Sequence, residues 1–305
     1  MNQWIATGEA VLPIFGLIAL GAVLRRLPLL DEKGWAGLDR IVYWVFFPAL
    51  LFASVARADL QGVAVGWMAA AMIGTVVAMT ALLYVVSRFL GAGKPARASL
   101  VMGGIRFNTF LGVAIAEQTY GATGVTLAAI CIAIMVPTVN VISVWTLQQG
   151  TPGGGILRTV GSLFQNPLIL ACLFGAVVNL ARVEPEPVLM TAVDLLGQAS
   201  LPLGLIAVGA GLTFDTLRTH GRLLATGIVA KMLIQPALGF GFLLAAGLSA
   251  PTLVIALMWL ALPAAPSSYV MARTLGGDAP LMAALLTAQV IVAVVTLPLL
   301  LGFLS

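Results

Sequence analysis

The chain has 305 residues, of which 61% are hydrophobic and only 9% are charged, and its net charge is +4. Soluble globular domains carry about 25% charged residues, so this composition excludes a soluble protein and indicates an integral membrane protein. The few basic residues lie in short loops, where they set orientation in the membrane. We therefore expect the lipid bilayer as a partner and no nucleic acid.

Ten apolar stretches follow one another along the chain, each close to the length of about 20 residues that a helix needs to cross a bilayer. The sequence therefore predicts an all-α integral membrane protein with ten transmembrane helices, five in each half. These predicted helices, numbered spans 1 to 10, cover 6–26, 35–56, 62–88, 97–119, 122–147, 163–182, 191–213, 223–248, 251–273 and 280–304.

Two prolines of the first half recur in the second half at one spacing of 154 residues. Pro13 is matched by Pro167, and Pro48 is matched by Pro202. A long internal repeat in a very apolar chain is typical of secondary transporters that are built from two related halves. Because each half has an odd number of spans, the second half should insert with the opposite orientation, which makes the repeat inverted. The expected halves are residues 1–150 and 151–305.

The charged loops test this count independently. With the N-terminus outside, only Arg57 and Arg182 lie in outside loops. The loops that then face the cytoplasm hold Arg25, Arg26, Lys33, Arg88, Lys94, Arg97, Arg158, Arg218, Arg222 and Arg273. Cytoplasmic loops of membrane proteins carry an excess of Lys and Arg. We therefore expect a protein of the inner (plasma) membrane with both termini outside.

This topology is testable by labelling single cysteines with a reagent that does not cross the membrane. The reagent applied from outside should label Ser305→Cys and should not label Arg158→Cys, because the charge distribution places these positions on opposite sides. The reverse pattern would show that the orientation is inverted.

Polar and helix-breaking residues occur in the middle of spans 4 and 9. Span 4 contains Gly103-Gly104, which weakens a helix, followed by polar residues that are costly in lipid unless they face protein or water. The repeat spacing carries Thr109 onto Pro263, at the start of PAAPSS in span 9, where two prolines must interrupt the helix. Two matching interruptions predict a substrate site at the midplane, where half-helix N-termini face an anionic group. The expected substrate-binding residues are Arg106, Asn108, Thr109, Pro263, Ala264, Ala265, Pro266, Ser267 and Ser268.

Further polar or helix-bending residues lie in the neighbouring spans, and we expect them to support the site. A lysine two turns inside a span is rare, so Lys231 indicates a functional role, whereas the others could equally hold helices together. Glycine and proline also occur in membrane helices simply for packing, and Arg106 could extend to the membrane surface instead. The supporting residues are Pro137, Asn140, Lys231, Gln235 and Gln289.

The sequence lacks the residues that a phosphate-binding loop, a metal site or a serine nucleophile would need. The segment GAGKPA at 91–96 has neither the upstream glycine nor the following Ser or Thr of a phosphate-binding loop. One histidine and two separated cysteines do not make a metal site, and no base accompanies Ser267 or Ser268. We expect no metal, no cofactor and no catalytic residue. The alternatives of a different class are an intramembrane enzyme, which would need such a base or metal, and a sensor, which would need a signalling domain.

Seven segments together resemble the auxin efflux carrier family, which includes plant carriers of auxin and bacterial relatives that transport malonate or malate. The resemblance covers essentially the whole chain. The segments are VLPIFGLIALGAVLRR, VFFPALLF, RFNTFLGVAIAEQTYG, NPLILACLFG, LPLGLIAVGAGL, KMLIQP and LPAAPSSYVMARTLGGD.

The resemblance implies a fold of five-plus-five inverted repeats, related to bile-acid symporters and sodium/proton antiporters. Spans 4 and 9 would be broken and cross at the centre, where Asn108 would approach a substrate carboxylate and Pro263 would mark the second crossover. Spans 1, 2, 6 and 7 would form a scaffold that dimerises, and spans 3–5 and 8–10 would form a mobile transport domain. In the plant members a proline precedes the crossover asparagine, whereas here Phe107 stands in that place.

The sequence thus predicts a secondary transporter that exports a small organic carboxylate by an elevator-type alternating-access motion. A sodium- or proton-coupled organic-anion symporter on the same fold is the alternative. We expect a homodimer, and pocket shape rather than any motif would decide which acid is carried.

Overall fold

The computed structural model describes residues 2–58, 64–147, 166–182, 185–218 and 221–304, and all regular structure in these ranges is helical. This agrees with the prediction of an all-α protein. The α-helices are α1 (Asn2–Leu24), α2 (Glu32–Ile41), α3 (Phe47–Ala56), α4 (Val65–Phe89), α5 (Lys94–Ile105), α6 (Thr109–Leu147), α7 (Pro167–Leu180), α8 (Pro187–Ala210), α9 (Gly221–Val229), α10 (Gln235–Ala245), α11 (Thr252–Ala261), α12 (Pro266–Leu275) and α13 (Ala279–Leu304).

Six helical segments are long and apolar enough to cross a membrane, and a seventh results if the bent pair α11 and α12 is one span. The six are Glu32–Ala56, Val65–Phe89, Lys94–Leu147, Pro187–Ala210, Gly221–Ala245 and Ala279–Leu304. Two further apolar helices, Leu12–Leu24 and Pro167–Leu180, are shorter than this. The protein therefore has the helices of an integral membrane protein, and the number ten stays a prediction.

The 54-residue segment Lys94–Leu147 covers both predicted spans 4 and 5. It is not one straight helix, because the backbone at 106–108 is non-helical and Gly121 has φ 54° and ψ −138°. A residue with positive φ is best tolerated as glycine, so Gly121 lets the chain change direction between two helical parts.

Two segments widen into π-helix, at Val42–Phe46 and Ala230–Ile234. Each is followed by a proline at the start of the next α-helix, Pro48 in α3 and Pro236 in α10. A proline inside a helix removes one N–H and its ring clashes with the carbonyl four residues earlier. The wider turn therefore lets each helix pass its proline without ending.

Helices α1, α3, α7 and α8 pack together through glycines. A Cβ at Gly21 of α1 would meet the backbone carbonyl of Ile206 in α8, and a Cβ at Gly209 of α8 would meet that of Ile18. Gly175 of α7 approaches α3 in the same way. Such small residues let membrane helices approach until their backbones touch.

The Gly103-Gly104 pair has a role other than the one expected from the sequence. Helix α5 continues through both glycines to Ile105, so they are not the point at which the helix breaks. A Cβ at Gly104 would meet the side chain of Leu83, and one at Gly103 would lie 2.7 Å from Leu285. The pair therefore serves close packing of α5 against α4 and α13.

The glycine contact between α1 and α8 can be tested with a control in the same helix. Gly21→Ala should destabilise the protein by about 1–3 kcal/mol, because the added methyl has no space against Ile206. A methyl group added at Gly16 would have no atom within 4 Å, so Gly16→Ala should leave stability unchanged or raise it slightly. Thermal unfolding in detergent measures both, and equal midpoints would contradict the tight contact.

Candidate functional site

The first helix break lies between α5 and α6, at Arg106–Asn108. Arg106 is extended, with φ −75° and ψ 159°, so it cannot continue α5. The Asn108 side chain then caps α6, because its Oδ1 accepts a hydrogen bond from the Leu111 amide at 3.2 Å. An asparagine at this position satisfies one of the free N–H groups that begin every helix.

The second break lies between α11 and α12, at 262–265, and the two helices meet at an angle of 47°. Leu262 and Ala265 are both extended and each precedes a proline, which disfavours helical geometry in the residue before it. Pro266 begins α12, where a missing N–H does no harm.

The two breaks touch, and Gln289 of α13 joins them. The backbone N–H of Asn108 donates to the Pro263 carbonyl at 2.7 Å. Gln289 is fully buried; its Oε1 accepts from the Ala264 amide at 2.9 Å, and its Nε2 donates to Gly103 O at 2.9 Å and to Gly227 O at 3.3 Å. Backbone groups freed by a helix break within a membrane need such partners, because no water can replace them.

Arg106 is held at the breaks by uncharged groups. Its Nε donates to Ser268 Oγ at 2.9 Å, and its Nη2 donates to Ser267 Oγ at 3.2 Å. Its Nη1 donates to Asn140 Oδ1 at 2.8 Å and lies 3.8 Å from the Met271 sulfur. The side chain is 8% exposed, so it does not extend to the membrane surface as the sequence allowed.

A small cavity of about 230 Å³ lies at Arg106. Helices α6 and α12 both begin beside it, and each of the two breaks contributes to its lining. The lining residues are Tyr43, Arg106, Phe107, Thr109, Val136, Val139, Asn140, Asn166, Leu168, Ala265, Ser267 and Met271.

A larger cavity of about 800 Å³ lies further along α6 and includes the start of its second part. Its charged residues are Glu117 and an ion pair in which Arg57 Nη1 and Nη2 contact the two Asp194 carboxylate oxygens at 2.8 and 2.9 Å. The lining residues are Pro13, Ile14, Leu17, Leu50, Ala53, Ser54, Arg57, Ala58, Ala114, Glu117, Gln118, Ala122, Thr123, Thr126, Leu127, Asp194, Gly197, Gln198, Leu201, Pro202 and Leu205.

An aromatic pair, Phe47 of α3 and Phe110 of α6, lies next along the chain to residues of the small cavity. Phe47 is one turn after Tyr43, and Phe110 directly follows Thr109. Their ring centroids are 4.7 Å apart. Phe110 also covers Gly204 of α8, where a Cβ would lie 2.6 Å from the ring.

The structure brings most of the residues expected at the site together. Arg106 donates hydrogen bonds to Asn140, Ser267 and Ser268. Thr109 and Ala265 line the cavity at Arg106. Pro263, Ala264 and Gln289 form the contact between the breaks. Pro266 begins α12, and Pro137 lies within α6, one turn before Asn140.

Other expected residues are placed differently. Asn108 is fully buried and lines neither cavity, and its Nδ2 has no hydrogen-bond partner among the described residues. Lys231 is 1% exposed, donates to Gln235 Oε1 at 3.0 Å, and likewise lines neither cavity. The two rare cations of the membrane interior are therefore in different surroundings.

Sequence reasoning missed Tyr43, Asn166 and Met271 of the small cavity. Asn166 carries a signal, since an asparagine before a proline that starts a helix is a typical cap, and its Oδ1 accepts from the Leu168 amide at 2.9 Å. Tyr43 and Met271 are ordinary residues of apolar helices, and only the folded arrangement shows that they border the cavity.

The joining role of Gln289 gives a stability prediction. Gln289→Leu should lower the free energy of unfolding by several kcal/mol, because each backbone group left unpaired costs about 1–3 kcal/mol. Gln198→Leu, at an exposed glutamine of the large cavity, is the control and should have a small effect. Thermal unfolding in detergent compares them, and equal unfolding temperatures would show that Gln289 does not hold the breaks.

Comparison with known proteins identifies the family. The model of the family described as "Membrane transport protein" matches residues 7–149 and 157–301. An uncharacterized transporter of Methanothermobacter thermautotrophicus is 28% identical over 297 residues, which cover 95% of this chain and 96% of that protein. A putative malonate transporter of Rhizobium meliloti is 26% identical over 281 residues, covering 87% and 86%. The chain therefore belongs to the membrane transport protein family, the family of the auxin efflux carriers that its motifs resemble.

Proposed function

We propose that the protein is a secondary transporter that exports a small organic carboxylate, and that the carboxylate binds at Arg106 in the small cavity. One observation carries this proposal: a buried guanidinium at two helix breaks whose described partners are all uncharged. Among the described residues, the ion pairs of the chain are Arg25–Glu32 and Arg57–Asp194, and neither involves Arg106.

Burial makes the charge of Arg106 costly. Hydroxyl and amide oxygens satisfy N–H groups of Arg106, but they do not neutralise its charge, and a buried charge is costly unless it is paired. An arginine binds a carboxylate through two parallel N–H bonds. Each Nη atom has two N–H groups, and Nη2 donates one of them to Ser267, which leaves a second for a ligand.

The surrounding helices favour an anion as well. Helices α6 and α12 start at the small cavity, and a helix N-terminus carries partial positive charge together with free N–H groups. The cavity is smaller than the 300–1,000 Å³ that is usual for ligand pockets, which favours a compact acid. Malonate is the first candidate, because a relative of similar length is described as a putative malonate transporter.

We also propose the ten-span inverted repeat, with both termini outside and with spans 1, 2, 6 and 7 as the scaffold of a homodimer. The glycine contacts among α1, α3, α7 and α8, which belong to these spans, support a rigid scaffold. Spans 3–5 and 8–10 would then carry the breaks, together with Phe110, past Phe47 of the scaffold in an elevator-type motion. In this orientation the large cavity faces outside and the small cavity faces the cytoplasm.

The two buried cations provide a matched test of the site. Arg106→Gln should reduce uptake of labelled malonate by reconstituted vesicles about 10- to 100-fold, since a charge-assisted hydrogen bond contributes about 1.5–3 kcal/mol. Lys231→Met removes the other buried cation, which lines neither cavity, and should leave malonate transport much closer to wild type.

Three further measurements complete this test. Malonate should raise the unfolding temperature of the wild type and of Lys231→Met but not of Arg106→Gln, so a binding defect is separated from a folding defect. Malonamide, its neutral analogue, should not be transported, and equal transport of the two would contradict recognition through a carboxylate. Uptake with and without sodium and proton gradients decides between a uniporter and an ion-coupled symporter.

A further inference from the structure

An apolar groove lies on the outer surface of the helix bundle, between α4 and the last turns of α6. Its volume is about 440 Å³. Val77, Val85 and Trp145 are each about half exposed, with exposed fractions of 53%, 50% and 51%. The lining residues are Val77, Thr80, Ala81, Tyr84, Val85, Ile142 and Trp145. Those on α4 recur at helical spacing, so the groove runs lengthwise along one face of the helix.

The length of the groove along α4 matches the thickness of one lipid leaflet. It extends along α4 from Val77 to Tyr84 and Val85, and Arg88 follows one turn later. At 1.5 Å per residue, Val77 and Arg88 are roughly 16 Å apart along the helix axis. The hydrocarbon core of a bilayer is about 30 Å thick, so this length corresponds to the acyl chain of a single leaflet.

Two arginines lie beside Tyr84 at one end of the groove. The guanidinium carbons of Arg88 and Arg97 lie 5.8 and 5.1 Å from the centre of the Tyr84 ring. Arg97 donates through Nη2 to Ala92 O at 3.2 Å, but its Nε is buried with no partner among the described residues. Both cations therefore lie beside one aromatic ring, which concentrates positive charge at this end of the groove and favours an anion there.

We propose that this groove binds an anionic phospholipid, with an acyl chain along α4 and the phosphate at Arg88 and Arg97. Lys94 at the start of α5 adds a third positive charge to the same short loop. Tyr84 and Trp145, whose ring centroids are 6.3 Å apart, lie where aromatic side chains meet the lipid headgroups. In the proposed orientation this end lies in the cytoplasmic leaflet, where basic clusters beside membrane helices attract anionic lipids.

The site is distinct from the Arg106 cavity, since the two share no lining residue, and the proposal does not depend on what is transported. The acyl groove excludes a free phosphate as the occupant, because inorganic phosphate would leave the apolar lining unfilled. The arginines in turn favour an anionic over a zwitterionic headgroup.

Native mass spectrometry of the full chain, with phosphatidylglycerol and phosphatidylcholine of identical acyl chains, tests the proposal. The wild type should retain phosphatidylglycerol in preference. Arg88→Gln and Arg97→Gln should each weaken that retention about fivefold, which is the usual contribution of one basic residue near an anionic lipid. Arg26→Gln, at an exposed arginine elsewhere on the predicted cytoplasmic side, should leave it unchanged.

A second variant fills the groove without changing any charge. Ala81→Phe should displace the bound phospholipid while the unfolding temperature stays near that of the wild type, because Ala81 is exposed. Equal retention of the two lipids by the wild type would overturn the proposal, and so would equal loss of phosphatidylglycerol in Arg26→Gln and in the two groove arginine variants. Displacement of the lipid by millimolar inorganic phosphate would overturn the acyl groove as the source of affinity.

Discussion

Every backbone group that a helix break frees inside a membrane must find a protein partner, and the centre of this molecule is organised around that requirement. Two helices end and restart in the apolar interior, so their terminal N–H and C=O groups cannot be left to water. One glutamine side chain, Gln289, reaches both breaks and a third helix with its single acceptor and its amide donors. The backbone N–H of Asn108 donates to the Pro263 carbonyl and so joins the two breaks directly.

The helix breaks also position a charged side chain, Arg106, in the interior. Because the backbone at Arg106 is extended rather than helical, its side chain turns toward α12 and meets Ser267 and Ser268, which a regular helix would have carried elsewhere. The prolines of the second break set the position of those serines by starting α12 where they do. A buried cation and a small polar cavity thus follow from the interruption of two helices.

The sequence was sufficient to locate the breaks, because prolines and polar residues deep in apolar stretches mark them within the chain itself. It could not pair Arg106 with Asn140, since that contact depends on how α6 changes direction at Gly121. It also placed Lys231 among the residues that support the site, because Lys231, like Arg106, is a rare cation in an apolar span. Which of them borders a cavity is decided by the rotation of each helix about its axis. That rotation results from the packing of many side chains and is not marked by any one residue.

The ion pair at the large cavity has an electrostatic consequence. Arg57 and Asp194 cancel each other's charge, and Glu117 is then the one remaining formal charge among the residues that line this cavity. The small cavity has a single formal charge of the opposite sign, on Arg106. The two cavities therefore carry fixed charges of opposite sign. An anion would be attracted to the Arg106 guanidinium and repelled by the Glu117 carboxylate, so the protein's own field favours holding an anion in the small cavity and disfavours its staying in the large one.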